Sequence, residues 1–285
     1  MARTLDLNLV RTFVAVADGG SMTVAANRLH VTQGAVSQQI KRLEEAFSCA
    51  LFARDGRRLG LSPVGERFLG RAKQLLRMND EIWADLAAHP FAGALRIGAP
   101  QDLIGTHLPS IVKTFADAHP QVDISLVCAT SPDLMSALDH GSLDLAVVEE
   151  PFGPHTGECL SVEPLAWVGV RGGTAHLKRP LPVSMVAETC AFRPLVLAAL
   201  EDKQIPWRTV FESGNVEATT ATVRSGLAIT AWLPSTVPAD LDILDASSDL
   251  PALPNFAITL RLPAIPSPAA QAFAQHVRTG FAKKL

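Results

Sequence analysis

The sequence predicts a two-part fold. A small helical unit with a β-hairpin is joined by one long helix to an α/β region built as two units. Three observations carry this. Two short apolar-periodic segments meet at His30-Val31-Thr32, as in two helices joined by a tight turn. An apolar stripe then recurs at helical spacing from Val64 past Leu86. After Gly93 the pattern becomes strand, helix, strand, helix, strand. The chain has 285 residues and 48% hydrophobic content, enough for more than one core and against wholesale disorder.

The first helix is expected over Leu7–Asp18. Leu9, Val10, Phe13, Val14 and Ala17 form one stripe, and Gly19-Gly20 ends it. Ser21 can cap a second helix, Met22–Leu29, whose alanines permit close helix approach. Thr32 is a candidate N-cap for a third helix, Gln33–Phe47, with Val36, Ile40, Leu43 and Phe47 inward. Its opposite side carries Ser37, Gln38, Lys41 and Arg42. Asp55-Gly56 is a hairpin-turn pair between short apolar strands, with Arg54, Arg57 and Arg58 at the tip. Ser62-Pro63 reads as N-cap and first residue of a long helix to about His89. That helix outruns the small unit, so its stripe is expected to bury against a second copy.

Beyond Gly93, ALRIGAP, VDISLVCAT and LDLAVVE are expected strands. Helices are expected over Leu103–Ala118 and from Ser131-Pro132 to His140-Gly141. A second unit from about Glu158 has expected strands near Leu165–Val170, Cys190–Phe192, Arg208–Glu212 and Leu227–Leu233. Its expected helices lie near Leu195–Lys203 and Val216–Ser225. A last helix starts at Ser267-Pro268 and closes with Lys283-Lys284, cations suited to a helix C-terminus. Glu150-Pro151 and Arg261-Leu262-Pro263 are the expected crossovers and hinges between the units.

The net charge is −3, but it is unevenly spread. Residues 1–89 hold 12 Lys/Arg against 9 Asp/Glu, and the remainder holds 13 against 19. A basic N-terminal part is thus joined to an acidic C-terminal part. Cys49, Cys128, Cys159 and Cys190 lack CxxC spacing, which speaks against a zinc site and for reduced thiols. No metal or cofactor is expected. The start, MARTLDLNLVRTF, has no apolar stretch before a cleavage site, and no run approaches the ~18–20 apolar residues that span a bilayer. The expectation is a cytoplasmic protein without membrane attachment. No GxSxG, HExxH, P-loop or GxGxxG pattern is present, and the eight histidines are scattered, so an enzyme is not expected.

Val10–Val16 (VRTFVAV), GSMTVAANRLHVTQGAVSQQIKRLEEAF and LFARDGRRLGLSPVGERFL resemble the LysR-type transcriptional regulators. So do LRIGAPQDL, FADAHPQVDISL, LDHGSLDLAVVE and VRSGLAITAWLP, and the resemblance spans nearly the whole chain. Two positions depart from the family pattern: Met22 stands where an aromatic is usual, and Gly34 where Ser or Pro is common.

The resemblance implies a winged helix-turn-helix over 1–62 and a dimerising linker helix over 63–90. It also implies an effector-binding domain over 91–285, like periplasmic binding proteins, with subdomain I at 91–150 and 263–285 and subdomain II at 151–262. A bacterial homodimer or homotetramer on dyad-symmetric promoter DNA, with RNA polymerase as a further partner, follows from the same resemblance.

For DNA, the third helix would enter the major groove, where Gln pairs with adenine and Lys with guanine. Thr32 and Gln33 are assigned to its entry, Ser37, Gln38 and Lys41 to base edges, and Arg42 to phosphate. Arg54, Arg57 and Arg58 suit phosphates or the minor groove. The plain alternative for Lys41, Arg42, Glu44 and Glu45 is a solvated helical face. Glu44 would otherwise make an ion pair within the unit, and His30 would pack at a helix end.

For the effector, Pro100, Gln101, Asp102, Thr130 and Ser131 lie between strand ends and helix starts, where free N–H groups favour a polar or anionic ligand. Cys190, Arg193, Ser213, Asn215 and Glu217 hold the corresponding loops of the second unit. Arg193 is the expected partner of a ligand carboxylate. Asp102 could instead neutralise Arg193 or select an amine. Capping alone is the other reading of Ser131 and Asn215, and plain burial that of Cys190. Rivals to the regulator reading are a thiol redox switch through Cys159 and Cys190, and a small-molecule-binding protein without DNA function.

Overall fold

The computed structural model describes residues 4–55, 58–86, 93–153, 157–185, 189–212, 216–245 and 248–282. The chain divides into two compact units, Met1–Pro90 with Asp139–Ser142, and Phe91–Leu138 with Leu143–Leu285.

The first unit contains α1 (Leu7–Gly19), α2 (Met22–Leu29), α3 (Gln33–Phe47), β1 (Phe52–Asp55), β2 (Arg58–Leu61) and α4 (Pro63–Leu86). Each helix start is capped as the sequence demands. Asp6, Ser21 and Thr32 accept from the amides of Asn8, Thr23 and Ala35. Both α2 and α3 end in a left-handed residue that is not glycine, His30 at φ 55° and Ser48 at φ 55°. His30 is exposed, so it closes the turn through its backbone rather than packing its ring.

The unit's core gathers Val10, Phe13, Val16, Ala25, Val36, Ile40, Leu43 and Leu51, with Ala72 from α4. The Phe13 ring packs tilted against Phe68 at 5.0 Å and against Phe52 at 5.3 Å, which fixes α4 and the hairpin on α1. Lys73 of α4 reaches Asp18 of α1 at 2.8 Å. The hairpin register pairs Asp55 with Arg58, so Asp55 is the last residue of β1 rather than part of the turn.

The second unit opens with β3 (Gly93–Ala99), α5 (Gln101–Thr106), α6 (Leu108–Ala118), β4 (Val122–Cys128), α7 (Ser131–Asp139), β5 (Leu145–Pro151) and β6 (Glu158–Pro164). It continues with β7 (Ala166–Val170), β8 (Leu181–Met185), α8 (Arg193–Asp202), β9 (Trp207–Glu212), α9 (Val216–Arg224), β10 (Thr230–Trp232), β11 (Leu241–Ile243), β12 (Asn255–Arg261) and α10 (Pro268–Ala282). The larger sheet has the order β4-β3-β5-β12-β6. In it β3 is parallel to β4 and β5, while β12 is antiparallel to both its neighbours. The smaller subdomain pairs β8 with β9 in parallel and sets β7 antiparallel between β10 and β11.

Four expectations are corrected here. The single helix over Leu103–Ala118 is two, α5 and α6, because Pro109 lacks the N–H that an unbroken helix would need there. Cys190–Phe192 is a loop leading into α8, and the strand is β8, whose Pro182 obscured it. The buried run Asn255–Arg261 is a strand that makes the sheet mixed rather than parallel.

The crossovers also move. Both β6 and β12 belong to the larger sheet, so the chain leaves it after Pro164 and returns at Asn255, positions paired with each other. Glu150 and Arg261, expected at hinges, lie inside the sheet. Arg261 Nε donates to Glu150 Oε2 at 3.1 Å, and Thr259 Oγ1 donates to the same oxygen at 2.6 Å.

Candidate nucleic-acid interface and ligand cavity

Along α3 the buried residues are Val36, Ile40 and Leu43, which seat one face in the core. The spacing of 3.6 residues per turn then forces Ser37, Gln38 and Lys41 onto the outer face. All three are exposed, as are Thr32 and Gln33 at the entry and Arg42 beside them. Thr32 uses its hydroxyl to hold the Ala35 amide at 3.2 Å, so it positions the helix start. Lys41 lies 3.9 Å from Glu45 with both side chains mostly in solvent, a pair too weak to hold the lysine back.

Among the described residues Glu44 makes no ion pair. Its Oε1 accepts from the Leu51 amide at 2.8 Å and the Phe52 amide at 3.3 Å, tying α3 to the start of the hairpin. Arg54 and Arg58 are placed by backbone register, opposite Leu59 and Asp55 respectively. Arg57 lies outside the described residues.

The second unit holds a cavity of about 260 Å³. It opens where the carboxyl ends of β3 and β4 meet the starts of α5, α7 and α8, the place where open α/β sheets bind ligands. Of the residues named from sequence for an effector, Pro100, Gln101, Asp102, Thr130, Ser131 and Cys190 line it. Ser213 and Asn215 lie outside the described residues.

Arg193 and Glu217 are not among the lining residues; their neighbours Phe192 and Val216 are. Each stands at the start of a helix, where adjacent side chains diverge by about 100°. Cys128, Ala129, Asp133, Glu149, Thr189, Ala191 and Trp232 complete the wall. Among the described residues that line the cavity, none is Lys, Arg or His.

Glu149 is the residue that sequence reading missed. It sits in β5 at 4% exposure, at the end of a run of apolar strand residues, with its amide donating to Ser131 Oγ at 2.9 Å. Its Oε1 is buried with no hydrogen-bond partner. Burial pushes its carboxyl well above the usual range, and the charge of Asp102 and a hydrogen bond to it push the same way. Asp102 is raised too, by burial first, against the hydrogen bonds from Glu149 and from the Leu103 amide. Two carboxyls in contact resist ionising together, and Glu149, the more deeply buried, is pushed toward keeping its proton. The only early signal was an acidic residue ending LDLAVVE where a buried strand should be wholly apolar.

Burial raises both cavity thiols, and Asp102 adds to this at Cys128 and at Cys190. Thiolate, the reactive form, is therefore disfavoured at both. Cys159 is exposed on β6. Among the described residues no His, Cys, Asp and Glu cluster suits a metal ion, and no helix is long and apolar enough to cross a membrane.

Comparisons with known proteins bear on both sites. The family profile described as "Bacterial regulatory helix-turn-helix protein, lysR family" matches residues 7–66. The profile described as "LysR substrate binding domain" matches residues 74–282. The HTH-type transcriptional regulator DgdR of Burkholderia cepacia is 35% identical over 280 residues, 98% of this chain and 95% of that protein. PecT of Dickeya dadantii is 34% identical over 251 residues, 88% of this chain and 79% of its own. Among solved structures, ArgP from Mycobacterium tuberculosis superposes with a TM-score of 0.70 at 20% identity, covering 98% of each chain. CbnR complexed with its target DNA gives 0.59 at 20% identity, covering 97% of this chain and 100% of the other. At such identities these structures speak for the fold.

Proposed function

The chain belongs to the LysR family of transcriptional regulators, and from that premise we propose that α3 reads promoter DNA while the cavity beside Glu149 takes a small effector. The observation that carries the first half is the outer face of α3, where Ser37, Gln38 and Lys41 are exposed at one-turn spacing on a helix anchored by its other face. Gln38 suits an adenine edge and Lys41 a guanine, with Arg42 and the hairpin arginines on phosphates. The CbnR structure holds its target DNA, and this chain shares that fold.

The effector half rests on the cavity at the strand ends. Its 260 Å³ is below the ~300–1,000 Å³ typical of drug-sized sites, so the ligand is a small metabolite. Two adjacent strand segments, Pro164-Leu165 and Pro254-Asn255, are the links between the subdomains. A ligand in the cavity changes their relative angle there. In a dimer or tetramer this alters how the paired helix-turn-helix units bend the promoter. Cytoplasmic placement and contact with RNA polymerase belong to the same reading, and catalysis does not. A thiol switch is disfavoured by the raised Cys128 and Cys190 thiols.

Fluorescence anisotropy of the purified protein on DNA from upstream of its own gene, against scrambled DNA at two salt concentrations, tests the DNA half. Selective binding that Lys41→Ala weakens is the expected result. Equal binding to both DNAs, unchanged by Lys41→Ala, overturns it.

A further inference from the structure

We propose that the cavity selects a ligand bearing a primary ammonium group, which docks on the Asp102–Glu149 carboxyl pair. This inference deepens the effector reading and rests on it. Two independent observations point to such a ligand. The first is the cluster of carboxyls, with Asp102 on α5, Asp133 on α7 and Glu149 on β5 all at the wall. The second is the state of Glu149. It is 96% removed from solvent, it lines the cavity, and its Oε1 has no partner. A buried acceptor left unpaired is costly unless something fills it. An ammonium supplies three donors and a positive charge in one group.

The competing pull comes from the helix starts that meet here. Each is worth roughly half a positive charge that fades within a turn. Asp133 and the Asp102–Glu149 pair, which keeps one charge with its proton in place, are whole charges, and no cation among the described lining residues offsets them. Arg193 is close enough to act on the Cys190 thiol but is not on the wall. The balance at the ligand is therefore negative. A free carboxylate is disfavoured, while the helix starts remain available to the carboxylate of a zwitterion. Simple amines and α-amino acids share the ammonium and differ only in that second group.

Docking has a proton balance. The unliganded pair holds one proton on Glu149. When R–NH₃⁺ arrives, that proton leaves to solvent, and the two carboxylates face the ammonium. No covalent bond forms. The groups that face or act on the pair are Asp133, Cys128, Cys190 and, at longer range, Glu163 and Arg193. Only the arginine is cationic. Affinity then rises with pH, by about tenfold per unit while the pair remains protonated. A carboxylate ligand would show the opposite sign, because it would need Glu149 protonated as a donor.

The test uses the full-length protein without DNA. Four probe series of three to six carbons are compared at pH 6, 7 and 8: primary amines, L-α-amino acids, monocarboxylates and alcohols. Thermal shift ranks them, and calorimetry in buffers of different ionisation enthalpy counts protons. Stabilisation by amines or amino acids, with about one proton released and affinity rising with pH, is expected. The amine and amino-acid arms then say whether the helix starts contribute. Glu149→Gln, close to isosteric, is expected to abolish the proton release and weaken binding at least tenfold, and Asp102→Asn to weaken it likewise. Stabilisation by monocarboxylates that strengthens at pH 6 overturns the proposal, and so does an absence of response to every amine and amino acid. Amine binding with the expected proton release but no change in DNA affinity or bending supports the ligand class and removes the effector role.

Discussion

Glu149 shows how one buried carboxyl sets behaviour well beyond its own contacts. Its folded-state affinity for a proton is raised above the unfolded reference of 4.5, so the native state binds more protons than the unfolded chain. Stability from this group is complete below pH 4.5 and is lost as pH rises above it. The loss is up to about 1.4 kcal/mol per pH unit. Glu149→Gln cannot ionise and is expected to flatten that decline. Thermal melts of both proteins from pH 5 to 8 should show the variant gaining on the wild type as pH rises. A constant gap would show that the carboxyl is already ionised in the fold.

A second single-residue test lies in the first unit. A Cβ on Gly65 would stand 2.1 Å from the Leu51 carbonyl oxygen, a backbone atom with no room to yield. Gly65→Ala is expected to cost about 2–3 kcal/mol, the upper part of the overpacking range. Urea unfolding monitored in the first unit would measure it.

At the scale of elements, α3 divides labour between its faces. Its apolar side and Glu44 hold it against the core and the hairpin, so substitutions on the outer face leave stability nearly unchanged. Gln38→Ala is expected to cost about 1–3 kcal/mol on the preferred site and little on scrambled DNA. Arg42→Ala is expected to weaken both and to lower the salt slope by about one. Identical effects on both DNAs from both variants would mean that α3 contributes charge but no base reading. The capped starts and the apolar faces of α1, α2 and α3 were legible because each depends on residues within one or two turns. Long-range pairing was not. The strand β12 lies about ninety residues or more along the chain from both its partners, β5 and β6, and its burial on both faces leaves no alternation to read.

For the whole molecule, α4 indicates how copies would meet. Its first half is covered by the N-terminal core through Val64, Phe68 and Ala72, whereas Met78 and Ile82 are 50% and 55% exposed. Exposed apolar residues on one helix suit a second copy of the same helix. Ile82→Glu is expected to lower the association state in sedimentation, and to weaken binding to a two-half-site operator about a hundredfold more than to a single half-site. An unchanged sedimentation profile would place the interface elsewhere.

Sequence alone determined the helix-turn-helix, the hairpin, the long helix and the α/β character of the rest, because caps, turns and periodicity are local. It also named six of the fifteen described residues on the cavity wall, since loops after strands are legible as loops: Pro100, Gln101, Asp102, Thr130, Ser131 and Cys190. Only the tertiary structure decided which neighbour faces inward. Phe192 and Val216 line the cavity while Arg193 and Glu217 do not, since the direction of a helix's first turn depends on what the helix packs against. Tertiary structure also brought Glu149 against Asp102 across forty-seven positions of chain. The charge of the cavity, and hence the sign of the ligand it suits, arises from that meeting of a helix start with a strand, and no local pattern encodes it.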